Sequence, residues 1–562
     1  MNGALLLAIA AACFLGGYFL YSKFLAAKLG VDPSKPTPAT VKNDGCDYVP
    51  AHPTVLFGHH FAAIAGAGPI VGPVLAAEFG WASVTLWIVL GCVFIGAMHD
   101  MIAMFLSVRH DGESIGTVIG TILGRPGKIM FLLFSFSALV LVLAEFTRQI
   151  AGTFVADPAI ATASLLFIVE AVIFGLCVYR LKMSVLLASL IFVPIMFAFV
   201  WVGNVFPLDL QAMLGWSKET VTMFWTLILL AYCFFASTCP VQYLLQPRDY
   251  LNAYLLYVMM ALGFLGVFVA HPVLHIDAFT GFSAVGRAAA FNGGVKDCLF
   301  PFLFVTVACG ACSGFHALVA SGTSSKQVSN ERSIRPIAYG GMLLEGVLAM
   351  IALIGVAGTY LSQQDYVTAI QGMEPVQMFA STIAGFCTKI GIPVRIAESF
   401  MLLSVSAFLM TSVDAGTRLA RFGWQELFGG TGKLPANAGI AKKTFHNMYF
   451  ATLIVCALGA ALLLGSPKTA KQLWTLFASA NQLLASLTLL TATLYLVRNH
   501  KPCWMTAVPM TLMFGVSTWA LGAILVSSFQ TGDVIRFVAS AGLMLLAAAL
   551  VVIAFKKGRV AK

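Results

Sequence analysis

Two adjacent histidines, His59 and His60, lead an apolar stretch into the run Gly66-Ala67-Gly68-Pro69-Ile70-Val71-Gly72-Pro73. Imidazole exchanges a proton near neutral pH, so the pair suits proton carriage. The alternative is a structural pair that bonds nearby carbonyls and fixes the run. Proline removes amide donors and glycine loosens a helical ladder, so a helix entering at His59 should unwind across the run. Irregular backbone at membrane depth survives only where protein buries it or where it lines a watery cavity. The run is therefore a site before it is anything else.

A second interruption is expected at Ala236-Ser237-Thr238-Cys239-Pro240-Val241-Gln242. Ser237 and Thr238 suit the cap of a restarted helix, and Pro240 suits its first turn. Two broken helices five spans apart, running in opposite directions, point to an inverted-repeat transporter with its site at the repeat interface. Half-helix amino ends would offer amides to an anion, and exposed carbonyls would suit a cation. Plain proline and glycine kinks are the competing account. The expected substrate site is Gly66, Gly68, Pro69, Ile70, Val71 and Gly72 with Ser237, Thr238, Cys239 and Gln242.

Ionisable residues deep in apolar runs are costly and so are functional candidates. Asp100, Glu170 and Glu345 are of this kind. Glu145 and Arg148, three residues apart on one helix face, read as a structural bridge. Asp414 and Arg418, four apart, suit an inner gate or a loop anchor, with the anchor favoured. Cys309 and Cys312 form a CxxC four residues before His316, but a structural zinc site would need a second ligand pair, so packing is favoured and no metal is expected. No phosphate-binding loop, metalloprotease motif or nucleophile elbow occurs. An enzyme is not expected, and no cofactor beyond a coupling proton or sodium ion.

The elements that must carry these groups follow from composition. The chain has 562 residues, 59% hydrophobic and 10% charged. Soluble domains carry about 25% charge, so this is an all-α polytopic membrane protein. Apolar runs fall near 3–22, 56–78, 83–107, 129–152, 163–179, 184–204, 221–242, 251–270, 299–320, 337–358, 396–415, 446–464, 472–497, 504–527 and 534–555. The first is read as a retained span. Residues 373–390 are ambiguous and suit a surface-lying segment. With fifteen spans, an outer amino terminus and an inner carboxyl terminus, most of the 33 basic residues fall inside. Counting 373–390 as a span would invert loop 416–445 against the positive-inside rule. The net charge of +10 is thus a topology signal, not one for nucleic acid. The expected organisation is an N-terminal span and loop (1–55), a core (56–415), a cytoplasmic loop (416–445) and a four-span scaffold with a basic tail (446–562).

The stretches Asp47-Tyr48-Val49-Pro50, GHHFAAIAGAGPIVGPVLAAEFGW (58–81), LLQPRDYLN (244–252) and FPFLFVTVACGACSGFHALVASGTSS (300–325) resemble the carbon starvation protein A family. The resemblance covers most of residues 45–420. It implies a LeuT-type (APC superfamily) inverted five-plus-five repeat, here with one extra N-terminal and four extra C-terminal spans, in a bacterial inner membrane. It also implies a transporter of pyruvate with protons, or of peptides, with sodium coupling left open. Pyruvate's carboxylate would take amides and a hydroxyl without an arginine, whereas a dipeptide would need more room and an acid for its amine. By the resemblance, Ser313 and the Ala65 carbonyl are partners at a cation site, and His316 carries a proton in place of sodium. Interhelical hydrogen bonding is the competing reading of Ser313 and His316. The glycine-rich stretch within 271–298 reads either as a cap over the site or as a plain connection. Thr323-Ser324-Ser325-Lys326 departs from the expected Thr-Thr-Pro-Lys and, with the shorter chain, bears on the substrate rather than the fold.

Overall fold

The computed structural model describes residues 1–562 except 45–47, 241–242, 285–296, 430–438, 466–471 and 561–562. Gln242 and the 285–294 part of the expected cap lie outside the described residues. Among those described, thirteen helices are long and apolar enough to cross a membrane, and two bent pairs bring the total to fifteen.

Span 1 is Gly3–Leu29, and span 2 is the pair Pro53–Ile64 and Gly68–Phe79, bent by 47°. Spans 3 to 6 are Trp81–Arg109, Ile115–Ala156, Pro158–Arg180 and Val185–Leu214. Spans 7 to 11 are Lys218–Thr238, Leu245–Ala270, Leu299–Lys326, Glu331–Thr359 and Val394–Gly429. Span 12 is the pair Ile440–His446 and Met448–Leu464, and spans 13 to 15 are Leu473–Arg498, Trp504–Thr531 and Val534–Lys557. Several begin on a polar cap: the side chains of Ser114, Ser184, Ser217 and Asn447 each accept an amide of the first turn. That satisfies donors which hydrocarbon cannot.

The first break falls at the front edge of the expected run and is shorter than expected: only residues 65–67 are irregular, and the rest of the run, from Gly68, is helical. Helix Pro53–Ile64 ends, Ala65 turns to ψ 71°, and a new helix starts at Gly68 with Pro69 in its first turn. In a continuous helix the Ala65 carbonyl would accept from residue 69, and proline has no N–H to give. The second break is not at 236–242. There span 7 ends at Thr238, Cys239 is extended, and span 8 begins at Leu245. Span 9 is the broken one: helix Leu299–Val307 stops, Ala308 takes φ +44°, and helix Gly314–Gly322 restarts after an extended Ser313.

The packing reveals an inverted repeat in a different register. Span 8 lies on the first half of span 2, and span 13 lies along both halves of span 9. Span 10 lies on the second half of span 2 as span 3 lies on the second half of span 9. Span 8 meets span 11 as span 13 meets span 4, and spans 7 and 12 each touch both 4 and 11. Spans 4 and 11, the longest two, form the most extensive interface. The two halves are therefore spans 2, 3, 4, 7, 8 and spans 9 to 13. Span 1, the hairpin of spans 5 and 6, and spans 14 and 15 are additions. The breaks are five repeat positions apart but seven spans apart, because the hairpin intervenes.

Residues 373–390 are neither a span nor surface-lying. Helix Pro375–Cys387 is too short to cross, and most of it is buried against spans 2, 8, 10 and 11. With helix Gln363–Gly372 it forms a lid over the ends of the core. Tyr366 donates to the Val74 and Leu75 carbonyls at 2.8 and 3.0 Å, and Arg148 of span 4 reaches Glu374 at 3.3 Å.

Candidate functional site

The two breaks cross each other, and glycine is what lets them. A Cβ on Gly72 would stand 2.4 Å from the Val307 carbonyl, and one on Gly68 2.4 Å from Cys309 Cβ. Gly72 is thus a packing contact. Pro69, Ile70 and Val71 are buried in the restarted helix, and the Ile70 and Val71 amides are already bonded to the Ala67 carbonyl. The Gly66 amide bonds Ile64. The Ala67 and Gly68 amides have no backbone partner among the described residues, so they are the donors the first break offers.

A cavity of about 10 Å³, close to one water in size, sits at the crossing. Gly66 and Gly68 form its floor, Phe146, Phe315 and Phe477 its aromatic wall, and Ser412 its hydroxyl. A Cβ on Gly66 would lie 2.8 Å from Ser412 Oγ, which has no hydrogen-bond partner among the described residues. No carboxylate or ammonium lines the cavity.

Ser237, Thr238 and Cys239 do not join this cavity. The carbonyls of Ala236, Ser237 and Cys239 serve as anchors: Arg418 donates to Ala236 at 3.0 Å and to Cys239 at 2.7 Å, and Arg421 to Ser237 at 2.5 Å. Asp414 meets Arg248 at 2.5 Å and Tyr232 at 2.8 Å, so its partner is a different arginine from the one expected. Ser313 is likewise elsewhere engaged. Its hydroxyl receives Asn481 Nδ2 at 3.1 Å, and the hydroxyl brought to the first break is that of Ser412. Asn481 also accepts the Phe315 amide at 2.8 Å, capping the restarted half of span 9.

Beside the cavity runs a chain of ionisable groups with no solvent exposure. His99 Nδ1 lies 2.8 Å from Asp100 Oδ1, and Asp100 Oδ2 lies 2.8 Å from His316 Nδ1. His316 Nε2 lies 3.2 Å from Glu345 Oε2. Spans 3, 9 and 10 each contribute. The chain touches the cavity through two neighbours: Phe315 precedes His316, and the Cys309 thiol lies within 4.8 Å of both His316 and Glu345. His60 packs against Gly341, one turn from Glu345 on span 10, and its Nδ1 meets Ser324 Oγ at 2.7 Å. His59 is half-buried beside it. Glu170 is buried and both its oxygens lack a hydrogen-bond partner, but it sits on the added hairpin. Its helix packs on spans 4, 6, 8 and 11, none of which supplies the chain.

A second cavity, of about 390 Å³, opens among spans 4, 9 and 11 at the face carrying most basic residues. Lys326, Glu426 and His446 stand at its rim.

The profile of the family described as carbon starvation protein CstA matches residues 2–373 and 359–520. The peptide transporter CstA of Campylobacter jejuni is 33% identical, over 90% of this chain and 78% of the relative. That of Bacillus subtilis is 34% identical, over 87% and 84%. The pyruvate/proton symporter BtsT of Escherichia coli is 32% identical, over 92% and 80%. Among solved structures, MhsT in complex with L-phenylalanine overlays with a TM-score of 0.47 at 13% identity, over 90% of this chain and 99% of that one.

Proposed function

The chain belongs to the carbon starvation protein CstA family, whose relatives named above are transporters, and from that premise we propose a secondary carrier that imports a small carboxylate, pyruvate, by proton symport. The observation that carries the substrate reading is the lining of the crossing cavity. Gly68 brings it one unengaged amide at a helix amino end, Ser412 an unpaired hydroxyl, and Phe146, Phe315 and Phe477 three aromatic rings. Amides and the helix dipole suit a carboxylate, and the hydroxyl suits a second oxygen. No carboxylate in the lining would neutralise an ammonium, and burying one without a counter-charge is costly. At one water in size the cavity must open for either substrate, and peptide uptake, the function in most of the relatives' names, would require it to open further still and to recruit an acid.

The charge chain supports protons as the driving ion. With His316 protonated between Asp100 and Glu345, two carboxylates face one imidazolium, which leaves one buried negative charge. One more proton cancels it. A neutral chain is free to move with spans 3, 9 and 10 through a low-dielectric interior, whereas a charged one resists. His60 packs against Gly341, one turn from Glu345 on span 10, and would serve as the link toward the basic face. The Ala65 carbonyl, stripped of its donor by Pro69, and the Ser412 hydroxyl would suit sodium instead, which keeps that ion as the second reading.

The lid of residues 363–387 covers one end of the core, and the basic face bears the larger cavity. By the positive-inside rule that face is cytoplasmic, which puts the amino terminus outside and the carboxyl terminus inside a bacterial inner membrane. The structure then corresponds to a carrier shut toward the outside. Uptake of labelled pyruvate and labelled dipeptides into proteoliposomes, under imposed proton or sodium gradients, tests the reading. Pyruvate uptake driven by protons alone is expected. Accumulation of dipeptides but not pyruvate would overturn the substrate, and a response to sodium alone would overturn the coupling.

A further inference from the structure

The two cavities share three helices. The small one takes Val142 from span 4, Phe315 from span 9 and Ser412 from span 11. The large one takes Leu139, Leu318 and Leu419 from the same helices, three to seven residues nearer the basic face. At about 1.5 Å of rise per residue, roughly one to two turns separate them. What stands between is a single layer. A Cβ on Gly416, midway between Ser412 and Leu419, would sit 3.5 Å from Val142, 3.9 Å from Phe315 and 4.0 Å from Leu139. The layer is three apolar side chains against one bare glycine.

We propose that Leu139, Val142 and Phe315, closing on Gly416, are the inner gate of this carrier, and that substrate leaves between spans 4, 9 and 11 into the large cavity. The proposal rests on the transport reading and adds its exit route. The neighbouring route between spans 7, 8 and 11 is bolted. Arg248, Asp414 and Tyr232 bridge it, and Arg418 and Arg421 tie span 11 to the carbonyls of 236–239. Phe315 is the movable part of the gate. It lies just past the break at 308–313, a single 3-10 turn at Ala308–Gly310 leading to the extended Ser313, so a tilt of helix Gly314–Gly322 about that break carries Phe315 and Leu318 away from span 11 together. Gly416 leaves a flat backbone for the ring to slide across.

The test measures access and needs no substrate. The full chain is reconstituted with single added cysteines and treated from the basic face with a membrane-impermeant cationic thiol reagent, the unaltered chain correcting for its own cysteines. Ser135→Cys, on the wall of the large cavity, should react readily. Val142→Cys, inside the layer, should react at least tenfold more slowly. Phe315→Ala should bring Val142→Cys to within threefold of Ser135→Cys, in protein with an unchanged size-exclusion profile. Gly416→Leu, which fills the gap, should retain pyruvate binding while uptake falls at least tenfold. Equal labelling of Ser135→Cys and Val142→Cys in the closed protein would overturn the gate, as would an unchanged Val142→Cys rate in the Phe315→Ala background. Full uptake by Gly416→Leu would overturn the route. Failure of the unaltered chain to move pyruvate would strike the substrate reading and leave these accessibilities standing.

Discussion

Two clusters of buried charge flank the broken helices, and they are built on opposite principles. On spans 3, 9 and 10, His316 sits between Asp100 and Glu345, with His99 behind. On spans 7, 8 and 11, Arg248 faces Asp414, with the Tyr232 hydroxyl on the same carboxylate oxygen. All of Asp100, His316, Glu345, Arg248 and Asp414 are without exposure. Guanidinium keeps its proton at every pH a protein meets, so the cation of the second cluster is fixed. Imidazole and carboxylate exchange protons, so the charge of the first can change by one. Inside a membrane, whether a buried ion pair is a bolt or a carrier turns on whether its cation can let go.

The sharpest way to break this comparison is to strand the bolt. Asp414→Asn leaves Arg248 buried without its counter-charge, and such stranding costs about 3–5 kcal/mol. The expected result is a large drop in thermal midpoint of the detergent-solubilised protein, or failure to accumulate in the membrane. Arg248→Met with Asp414→Leu should recover most of that loss, because an apolar pair of similar bulk needs no desolvation. Full stability of Asp414→Asn would mean that the pair holds nothing together.

Next come changes that convert one kind of cluster into the other. His316→Arg places a cation that cannot release its proton between Asp100 and Glu345. Proton-driven pyruvate uptake should fall about 100-fold, the equivalent of roughly 2.7 kcal/mol on the rate. Exchange of labelled for unlabelled pyruvate at equal pH on both sides should stay within threefold, since it needs no change in protonation. Glu345→Gln should act in the same direction with a distinct signature. Unaltered uptake should rise as the outside pH falls, because protons are a co-substrate, and in Glu345→Gln that dependence should flatten. Parallel losses of uptake and exchange in both variants would make the chain a structural device after all.

The two clusters also mark where sequence reasoning reaches and where it stops. Fifteen spans were legible because hydrocarbon thickness dictates run length. The break at 65–67 was legible because proline and glycine punctuate a helix by covalent structure alone. The break at 308–313 was not: Ala-Cys-Gly-Ala-Cys-Ser has no proline, and its positive φ of +44° falls on an alanine, which does not announce it. Ser237-Thr238-Cys239-Pro240 misled for a definable reason. A proline just past a helix end and a proline in the first turn of a new helix read alike in one dimension. Asp100 and Glu345 stood out as costly and His316 through the family resemblance, but the meeting of Asp100 with His316 depends on spans more than 200 residues apart. Ser412 and Asn481 gave no signal, since a small polar residue in an apolar run reads as ordinary interhelical packing.

The smallest effect is expected from a third kind of ion pair, the exposed one. Arg148 on span 4 reaches Glu374 at 3.3 Å, where the Glu374 side chain is 46% exposed. Water and salt screen such a pair, and its worth is about 0–1 kcal/mol. Arg148 also keeps the fully buried Glu145 at 2.9 Å, so removing the arginine would confound two effects, and Glu374→Gln is the cleaner change. It should alter pyruvate uptake less than threefold and shift the thermal midpoint only slightly, with any effect shrinking further at high salt. The lid should stay shut without it. Tyr366 and Gln363 bond the carbonyls of Val74, Leu75, Ala77 and Glu78 at the end of span 2, and those contacts do not depend on charge. A tenfold loss in Glu374→Gln would instead make the outer closure ionic, and the outer end of the carrier would then have a charge-operated latch that neither buried cluster supplies.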